Sequence, residues 1–191
     1  KEGCAEGDCG ACTVVIGERR GARLQLRAVN ACLQLLPMLD GKALFTVEDL
    51  APLAGSGRLH PLQQALVEGH ASQCGFCTPG FVMSLFALYE NTPSCPSRDA
   101  VMEAISGNLC RCTGYRPIID AMPAAWALPR VGIERSAVLA PSMKWRPCRR
   151  LNTASARSAS SPPAASPNSP APGWPCRRRA SWPAQRTWAC G

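Results

Sequence analysis

Apolar and polar residues alternate along an early stretch of the chain. The segment "ARLQLRAVN" at residues 22–30 has an apolar side chain at every second position over most of its length, which is the period of a half-buried strand. The β-branched run "CTVVI" at 12–16 predicts a strand before it, and "LFTV" at 44–47 predicts a third. We interpret "GERRG" at 17–21 as a turn between the first two. The pattern therefore predicts a small sheet within residues 1–50.

The period of the apolar positions becomes helical after a Pro/Gly/Ser-rich stretch, "APLAGSGR" at 51–58, which we interpret as a linker. Pro61 suits the first position of a helix and Gly69 suits its end. The run "TPGFVMSLFALYEN" predicts a second helix with Thr78 as N-cap and Pro79 at the first helical position. Its apolar stripe is interpreted as core packing.

Two further helices follow in the same part of the chain. Ser97 and Gly107 are the predicted N-cap and C-cap of the third. The fourth, "RPIIDAMPAAWAL", contains Pro123, which should kink it or end it early because proline lacks an N–H and clashes with the preceding turn. Residues 51–128 are thus predicted to form a four-helix module behind the β-rich one, an α+β arrangement.

The basic excess of the chain lies in its last third. The 191 residues carry a formal net charge of +8, but residues 1–128 contain 10 Lys and Arg against 12 Asp and Glu. Residues 129–191 contain 11 against 1, together with 10 of the 18 prolines. We therefore expect neither a nucleic-acid partner nor a membrane surface for the patterned part. The dense cysteines without a signal peptide favour a reducing, cytoplasmic location.

Four cysteines near the start have a spacing with chemical meaning. The stretch "KEGCAEGDCGACTVV" has the pattern C-x4-C-x2-C, with a fourth cysteine further on; the set is Cys4, Cys9, Cys12 and Cys32. Three close thiolates and a distant fourth are typical of plant-type [2Fe–2S] ligation. Gly3, Gly7 and Gly10 suit a loop that brings backbone amides close to a cluster. Zinc, the alternative, usually takes paired C-x2-C knuckles.

A second set of four combines C-x2-C in "QCGFCTPG" with C-x-C in "NLCRCTGYRP"; its members are Cys74, Cys77, Cys110 and Cys112. Two of these thiols lie at the N-terminal end of a predicted helix, where the dipole favours negative charge. This spacing alone is compatible with zinc as well as with an iron–sulfur cluster. The first set beside it favours the cluster.

The two sets in this order resemble the iron–sulfur part of the molybdenum hydroxylase (xanthine oxidase) family. The resemblance is carried by "KEGCAEGDCGACTVV", "RAVNACLQLLPMLDGKALFTVEDL", "HPLQQALVEGHASQCGFCTPGFVMSL" and "SGNLCRCTGYRPIIDA". It extends from Lys1 to about Leu139 and is tightest to the small iron–sulfur/FAD subunits of bacterial xanthine dehydrogenases. It implies a partial plant-type ferredoxin-like β-grasp domain at 1–50 whose leading strands are missing, and a helical [2Fe–2S]-binding domain at 51–128.

The resemblance also implies a place in electron transfer. Electrons would pass from a molybdenum cofactor in a molybdopterin-binding large subunit through two [2Fe–2S] clusters to FAD and NAD, with a purine as the electron donor. Gln73 is the residue it implies for contact with the pterin. No catalytic residue is expected in this chain, which by itself should be inactive. The open alternatives are the small subunit of an aldehyde or carbon monoxide dehydrogenase and, from another class, a structural zinc protein.

Residues 129–191 are interpreted as a linker and a non-native, disordered tail. The ending "SWPAQRTWACG" permits "LAGATDVGLW" in another codon frame, which is similar to an FAD-domain string of the same family. We therefore expect an out-of-frame FAD domain, with the shift near residues 140–151. Three remaining residues carry no expected chemistry: Cys95 is interpreted as a loop thiol, and His60 and His70 as packing or surface residues.

Overall fold

A computed structural model describes residues 1–55 and 57–139. Three antiparallel strands form one sheet in the order β2-β1-β3, namely β1 (Thr13–Arg20), β2 (Arg23–Asn30) and β3 (Ala43–Phe45). Seven helices follow: α1 (Leu50–Ala54), α2 (Pro61–Glu68), α3 (Thr78–Asn91), α4 (Arg98–Ala104), α5 (Arg116–Asp120), α6 (Met122–Ala127) and α7 (Arg135–Leu139). The mixed fold of a small sheet followed by helices agrees with the α+β prediction.

The first two strands form a longer hairpin than the sequence pattern predicted. They pair without interruption from Thr13 opposite Asn30 to Arg20 opposite Arg23. The predicted turn at 17–21 is wrong, because Gly17 to Arg20 continue β1 and the chain reverses only at Gly21, where φ is +61°. A residue with a β-carbon rarely adopts that φ, so glycine fixes the position of the turn.

The predicted linker at 51–58 begins as helix. A capping box at Thr46 and Asp49 closes a short 3-10 turn that continues into α1, and the side chain of Leu50 is fully buried. Proline in this stretch is compatible with a helix, because Pro52 lies within the first turn of α1, where a missing N–H is tolerated. Gly55 then ends the helix at its C-cap.

Helix α3 lies at the centre of the molecule. It is buried on nearly every side, from Gly80 to Ala87 and again at Tyr89 and Glu90, which is expected of a helix that is apolar all round. It packs against β1 and β2 on one side and against α2 and α4 on the other. Its N-cap is Cys77, one residue before the predicted Thr78, so a cysteine of the second set occupies the start of this helix.

The remaining helices follow the sequence prediction with small shifts. The Ser97 side chain caps α4 by accepting from the Ala100 N–H, but α4 ends at Ala104, before the predicted cap at Gly107. The predicted fourth helix is divided into α5 and α6 at Ala121, with Pro123 in the first turn of α6. This division is the break that proline was expected to cause.

The two predicted modules share one hydrophobic core. Val15, Leu24 and Leu26 from the sheet belong to the same buried cluster as Phe81 and Met122 from the helices. Residues 129–139, assigned above to the linker, also pack against this body: Arg135 donates to the backbone oxygens of Leu24 and Glu90, and α7 contacts β2. The boundary at residue 128 is therefore too early.

Within the described residues, no helix has the length and apolar content that crossing a membrane requires. The expected frame change near 140–151 and the expected FAD-domain remnant lie outside the described residues.

Candidate iron–sulfur site

The first four cysteines are brought together by a glycine-containing loop and the hairpin. Cys4 and Cys9 lie on the loop before β1, Cys12 immediately precedes β1, and Cys32 follows β2. The hairpin brings Cys12 and Cys32 together, because the register places Thr13 opposite Asn30. The loop reaches them through positive φ values at Gly7 and Gly10.

The glycines of this loop leave no room for a side chain. A β-carbon at Gly7 would lie 2.2 Å from Leu33 Cδ1, and one at Gly10 would lie 2.3 Å from the carbonyl oxygen of Gly107. One at Gly3 would lie 2.9 Å from Cys9 Sγ. The close wrapping that the sequence predicted is therefore present. At Gly10 the obstructing atom is backbone, so glycine is required there for steric reasons as well as for φ, whereas at Gly7 the exposed Leu33 side chain can move and the positive φ is the main requirement.

The thiols of the first set form two pairs. The Cys9 side chain is close enough to lower the pKa of Cys4, and the Cys12 side chain is close enough to raise that of Cys32. The backbone N–H groups of Cys9 and Cys32 donate to Cys4 Sγ and Cys12 Sγ at 3.3 and 3.4 Å. Each pair thus holds two sulfur atoms and at least one backbone donor.

The second set is assembled from two loops that meet beside α3. Cys74 lies in the loop before α3 and Cys77 occupies the N-cap position of that helix, while Cys110 and Cys112 lie on the loop between α4 and α5. The loop at 72–78 is closed by a 2.7 Å contact between the hydroxyls of Ser72 and Thr78.

These thiols also pair across the two loops. The side chains of Cys74 and Cys112 are close enough to shift each other's pKa, and so are those of Cys77 and Cys110. Each pair therefore takes one member from C-x2-C and one from C-x-C, a pairing that the sequence spacing does not reveal.

In the first set, the pKa of one thiol is lowered and that of another is raised. Hydrogen bonds from the backbone N–H groups of Cys9, Glu6 and Asp8 lower the pKa of Cys4 to about 7. The hydrogen bond with Cys12 raises the pKa of Cys32. Thiolates are the ligands of iron and zinc, so an acidic thiol favours ligation by the first set.

In the second set, too, the pKa values of the thiols are shifted in opposite directions. Burial followed by the contact with Cys110 raises the pKa of Cys77 to about 11. Burial also acts to raise the pKa of Cys110, but hydrogen bonds from the hydroxyl and N–H of Thr113 outweigh it and lower that pKa to about 7. The Phe76 N–H lowers the pKa of Cys74, whereas the contact with Cys74 raises that of Cys112.

The pairing of the thiols fits a [2Fe–2S] cluster. Such a cluster is held by four thiolates, two on each iron, so its ligands form two pairs. A structural zinc ion instead needs four ligands that converge on one point. Two thiol pairs in each set are therefore compatible with a [2Fe–2S] cluster.

A buried contact joins the two sets. The N–H of Leu109, the residue before Cys110, donates to the carbonyl oxygen of Cys9 at 2.9 Å. The Asn108 amide donates to the oxygens of Gly10 and Thr13 at 3.0 and 3.2 Å. Its carbonyl oxygen accepts from the Ser84 hydroxyl of α3 at 2.6 Å. We call Gly10, Thr13, Gly80, Ser84 and Asn108 the junction.

Gly80 completes the junction from α3. A β-carbon at this position would lie 2.1 Å from the carbonyl oxygen of Gly10. The loop of the first set and the central helix thus touch through their backbones. An isolated glycine inside an apolar helical pattern was the one signal in the sequence that pointed to such an approach; nothing in the sequence pointed to Asn108 or to the Leu109 contact.

Of Gln73, Cys95, His60 and His70, only His60 is buried. Gln73 is exposed, immediately before Cys74. Cys95 is exposed in the loop after α3 and makes no described contact with either thiol set. His60 is fully buried, where its Nδ1 accepts from the Leu62 N–H at the start of α2. His70 is exposed after α2 with a φ of +48°. The two histidines are thus a packing residue and a surface residue.

The chain matches the model of a known domain family. Residues 46–123 match the model described as "[2Fe-2S] binding domain". This range contains all four cysteines of the second set.

Full-length relatives match over a longer range. The chain is 54% identical over 123 residues to the xanthine dehydrogenase of Emericella nidulans and 51% identical over 123 residues to aldehyde oxidase 1 of Rattus norvegicus. In each case the match covers 63% of this chain and 9% of the relative. The chain thus spans about a tenth of the length of the curated relatives it matches.

Solved structures agree with these matches. Quinoline 2-oxidoreductase from Pseudomonas putida 86 superposes with a TM-score of 0.56 at 42% identity, over 66% of this chain and 72% of that one. The aldehyde oxidoreductase of Desulfovibrio gigas gives the same TM-score at 38% identity, over 66% of this chain and 13% of that one. The chain therefore belongs to the [2Fe–2S] domain family that xanthine dehydrogenases and aldehyde oxidases share, the iron–sulfur region of the molybdenum hydroxylases, which are oxidoreductases.

Proposed function

We propose that this chain is an electron-transfer region that holds two [2Fe–2S] clusters, one on each thiol set. The observation that carries this proposal is the hydrogen bond from the Leu109 N–H to the Cys9 carbonyl oxygen. It connects a ligand residue of the first set to the neighbour of a ligand residue of the second. The two sites are thus joined by covalent bonds and one hydrogen bond.

When bound, each cluster would supply one-electron redox chemistry. The protein's part is to hold the ligands and to adjust the environment of the sulfur atoms. Backbone N–H groups at Cys9, Cys32 and Thr113 point at cysteine sulfurs and would stabilise the negative charge there. We propose that substrate oxidation takes place in another part of the enzyme, where the molybdenum cofactor would supply that chemistry.

We propose that electrons enter through the second set and leave through the first. Cys74 and Cys112 are exposed, as is Gln73 beside them, so this edge can meet a partner domain. The partner would be the molybdopterin-binding large subunit, where Gln73 would contact the pterin. FAD and NAD would accept the electrons that leave the first set.

The proposed enzyme is a xanthine dehydrogenase that oxidises a purine. The matched relatives include both xanthine dehydrogenases and aldehyde oxidases, so an aldehyde-oxidising enzyme is the second candidate. Co-purification with the molybdopterin-binding partner, followed by assay of a purine and an aldehyde as electron donors, decides between them. Exclusive oxidation of aldehyde would overturn the purine assignment.

The cluster assignment is tested by anaerobic reconstitution of the full chain with iron and sulfide. Two distinct [2Fe–2S] signals are expected in the reduced protein by electron paramagnetic resonance. Cys77→Ser should abolish one signal and Cys9→Ser the other, since each removes a proposed ligand. Cys95→Ser is the matched control, because this exposed thiol lies outside both sets; it should retain all the iron. Stoichiometric zinc in a colourless native protein would contradict the proposal.

A further inference from the structure

Tyr115 has a backbone conformation that is rare for a tyrosine. Its φ is +68° and its ψ is −33°, and the Arg116 N–H donates to the Gly114 carbonyl oxygen at 2.8 Å across it. This three-residue bond makes Tyr115 the central residue of a γ-turn of the classic, strained hand. A bulky residue with positive φ is a genuine outlier, and such strain persists only where the surroundings impose it.

The phenol of Tyr115 contacts the backbone of the second thiol set. Its Oη accepts from the Cys110 N–H at 3.0 Å. The Tyr115 N–H donates to the Thr113 hydroxyl at 3.2 Å, and that hydroxyl lies 3.1 Å from Cys110 Sγ. One residue thus fixes both the backbone and the side-chain environment of Cys110.

The ring of Tyr115 also reaches the other half of the second set. It meets Phe81 edge to face, with ring centroids 6.0 Å apart. Phe81 lies one helical turn after Cys77, and its N–H donates to the Cys77 carbonyl oxygen at 3.2 Å. Tyr115 therefore links the C-x-C loop to the helix that begins at Cys77.

We infer that Tyr115 is a positioning residue of the second thiol set. Its strained turn directs the phenol back onto the Cys110 amide, so that the Cys110 sulfur is held beside Cys77 before a cluster binds. Without the hydroxyl, the Cys110 N–H loses its acceptor and the C-x-C loop is free to shift. This inference rests on the proposed function, since it requires that the second set binds a cluster.

The chain offers a matched control in its only other tyrosine. Tyr89 is buried, its Oη accepts from the Val131 N–H at 3.2 Å, and its ring meets Trp126 edge to face. Tyr115→Phe and Tyr89→Phe thus remove the same group from the same kind of hydrogen bond, one beside Cys110 and one away from both thiol sets.

The experiment uses the full chain reconstituted with iron and sulfide. Tyr115→Phe should release the second cluster to a chelator about fivefold faster, the factor that corresponds to one net hydrogen bond. It should also change the paramagnetic resonance signal and the reduction potential of that cluster, leaving the first unchanged. Tyr89→Phe should alter none of these. A role limited to packing would lower stability in both variants and shift neither signal nor potential.

Tyr115→Gly separates strain from positioning. Tyr115→Gly and Tyr115→Ala both remove the ring that meets Phe81, but only glycine relieves the positive φ, so the metal-free Tyr115→Gly chain should melt above the Tyr115→Ala chain while both lose the second cluster faster than Tyr115→Phe. If Tyr115→Phe matches the unsubstituted chain in release rate, signal and potential, the inference is wrong although the proposed function stands. If the unsubstituted chain forms no cluster at Cys110, the proposed function fails and the inference fails with it.

Discussion

The two thiol sets are held by different parts of the molecule. The second set lies around the start of α3, whose side chains are the centre of the core. The first set lies largely on an exposed loop, and several of the groups that hold this loop come from beyond the sheet. Asn108 and Leu109 donate to Gly10 and Cys9, and Gly80 gives the loop room to approach.

This difference implies a one-way dependence. The loop of the first set buries only the small side chains of Ala11 and Cys12, so it has little free energy of its own with which to offset the entropy of ordering. The first set should therefore be formed only when the helical part is folded and the junction is intact. The second set should survive damage to the junction, since Cys77 and the loops beside it are tied to the core through α3.

The largest effect is expected from Gly80→Ala. Alanine normally favours a helix over glycine, but here the new β-carbon would lie 2.1 Å from the Gly10 carbonyl oxygen. The atoms that this β-carbon would meet belong to the backbone of Gly10, which cannot move aside as a flexible side chain can. We therefore expect a loss of about 3 kcal/mol in the free energy of unfolding, with the first cluster lost before the second. Urea unfolding and the two resonance signals measure this. Gly107→Ala is the control, because a β-carbon there has nothing within 4 Å.

Asn108→Ala is expected to have the next largest effect. It leaves the buried Ser84 hydroxyl without its acceptor and removes one of the three donors to the Gly10 oxygen, which keeps its bonds from Thr13, so we expect a cost of about 2 kcal/mol. The first cluster should be released faster and the second at an almost unchanged rate. Asn91→Ala removes a single bond, to the Leu26 oxygen, away from the thiols. Equal loss of both clusters in the Asn108 variant would show that the dependence is not one-way.

Acid should act through His60 in the helical part. Burial lowers the pKa of His60 to about 4, so its ring is neutral in the folded state and, by its hydrogen bonds, carries its proton on Nε2, facing the Val131 oxygen. The stability that the neutral His60 contributes is fully present above pH 6.5, the ordinary pKa of histidine and the one expected in the unfolded chain. It is lost as the pH falls from 6.5 toward 4.

The loss through His60 should be about 2 kcal/mol between pH 7 and pH 5. Because the core is shared, both thiol sets should be affected together, unlike in the junction variants. Unfolding measured over this pH range checks the slope. His60→Asn retains a helix-capping acceptor without titrating in this range and should flatten it; an equal slope in that variant would assign the effect to other groups.

The smallest effect is expected from the surface ion pair beside the second set. Arg98 and Asp120 join α4 to α5 at 2.7 Å, but both side chains are more than half exposed. Arg98→Ala should change the free energy of unfolding by no more than about 0.5 kcal/mol and leave both resonance signals unchanged. Loss of the second cluster in this variant would show that surface charge, rather than the core, holds that set.

Local patterns predicted the elements well where neighbouring residues are sufficient to define them. The alternation in β2 places Leu24 and Leu26 in the core, and Pro123 marks the break between α5 and α6. The prediction was less accurate where distant partners decide. Gly17 to Arg20 look like a turn but extend β1, because they pair with residues of β2.

The sequence by itself determined that eight cysteines form two sets, because ligand spacing is a property of the chain. It also indicated the family, predicted the small sheet, and showed that the first loop contains the glycines that close wrapping needs. Only the tertiary structure decided how the thiols pair, why Asn108 is buried, and why Tyr115 accepts a strained turn. These depend on residues brought together from distant parts of the chain, such as Asn108 and Gly10. No local period of apolar and polar positions encodes such a contact.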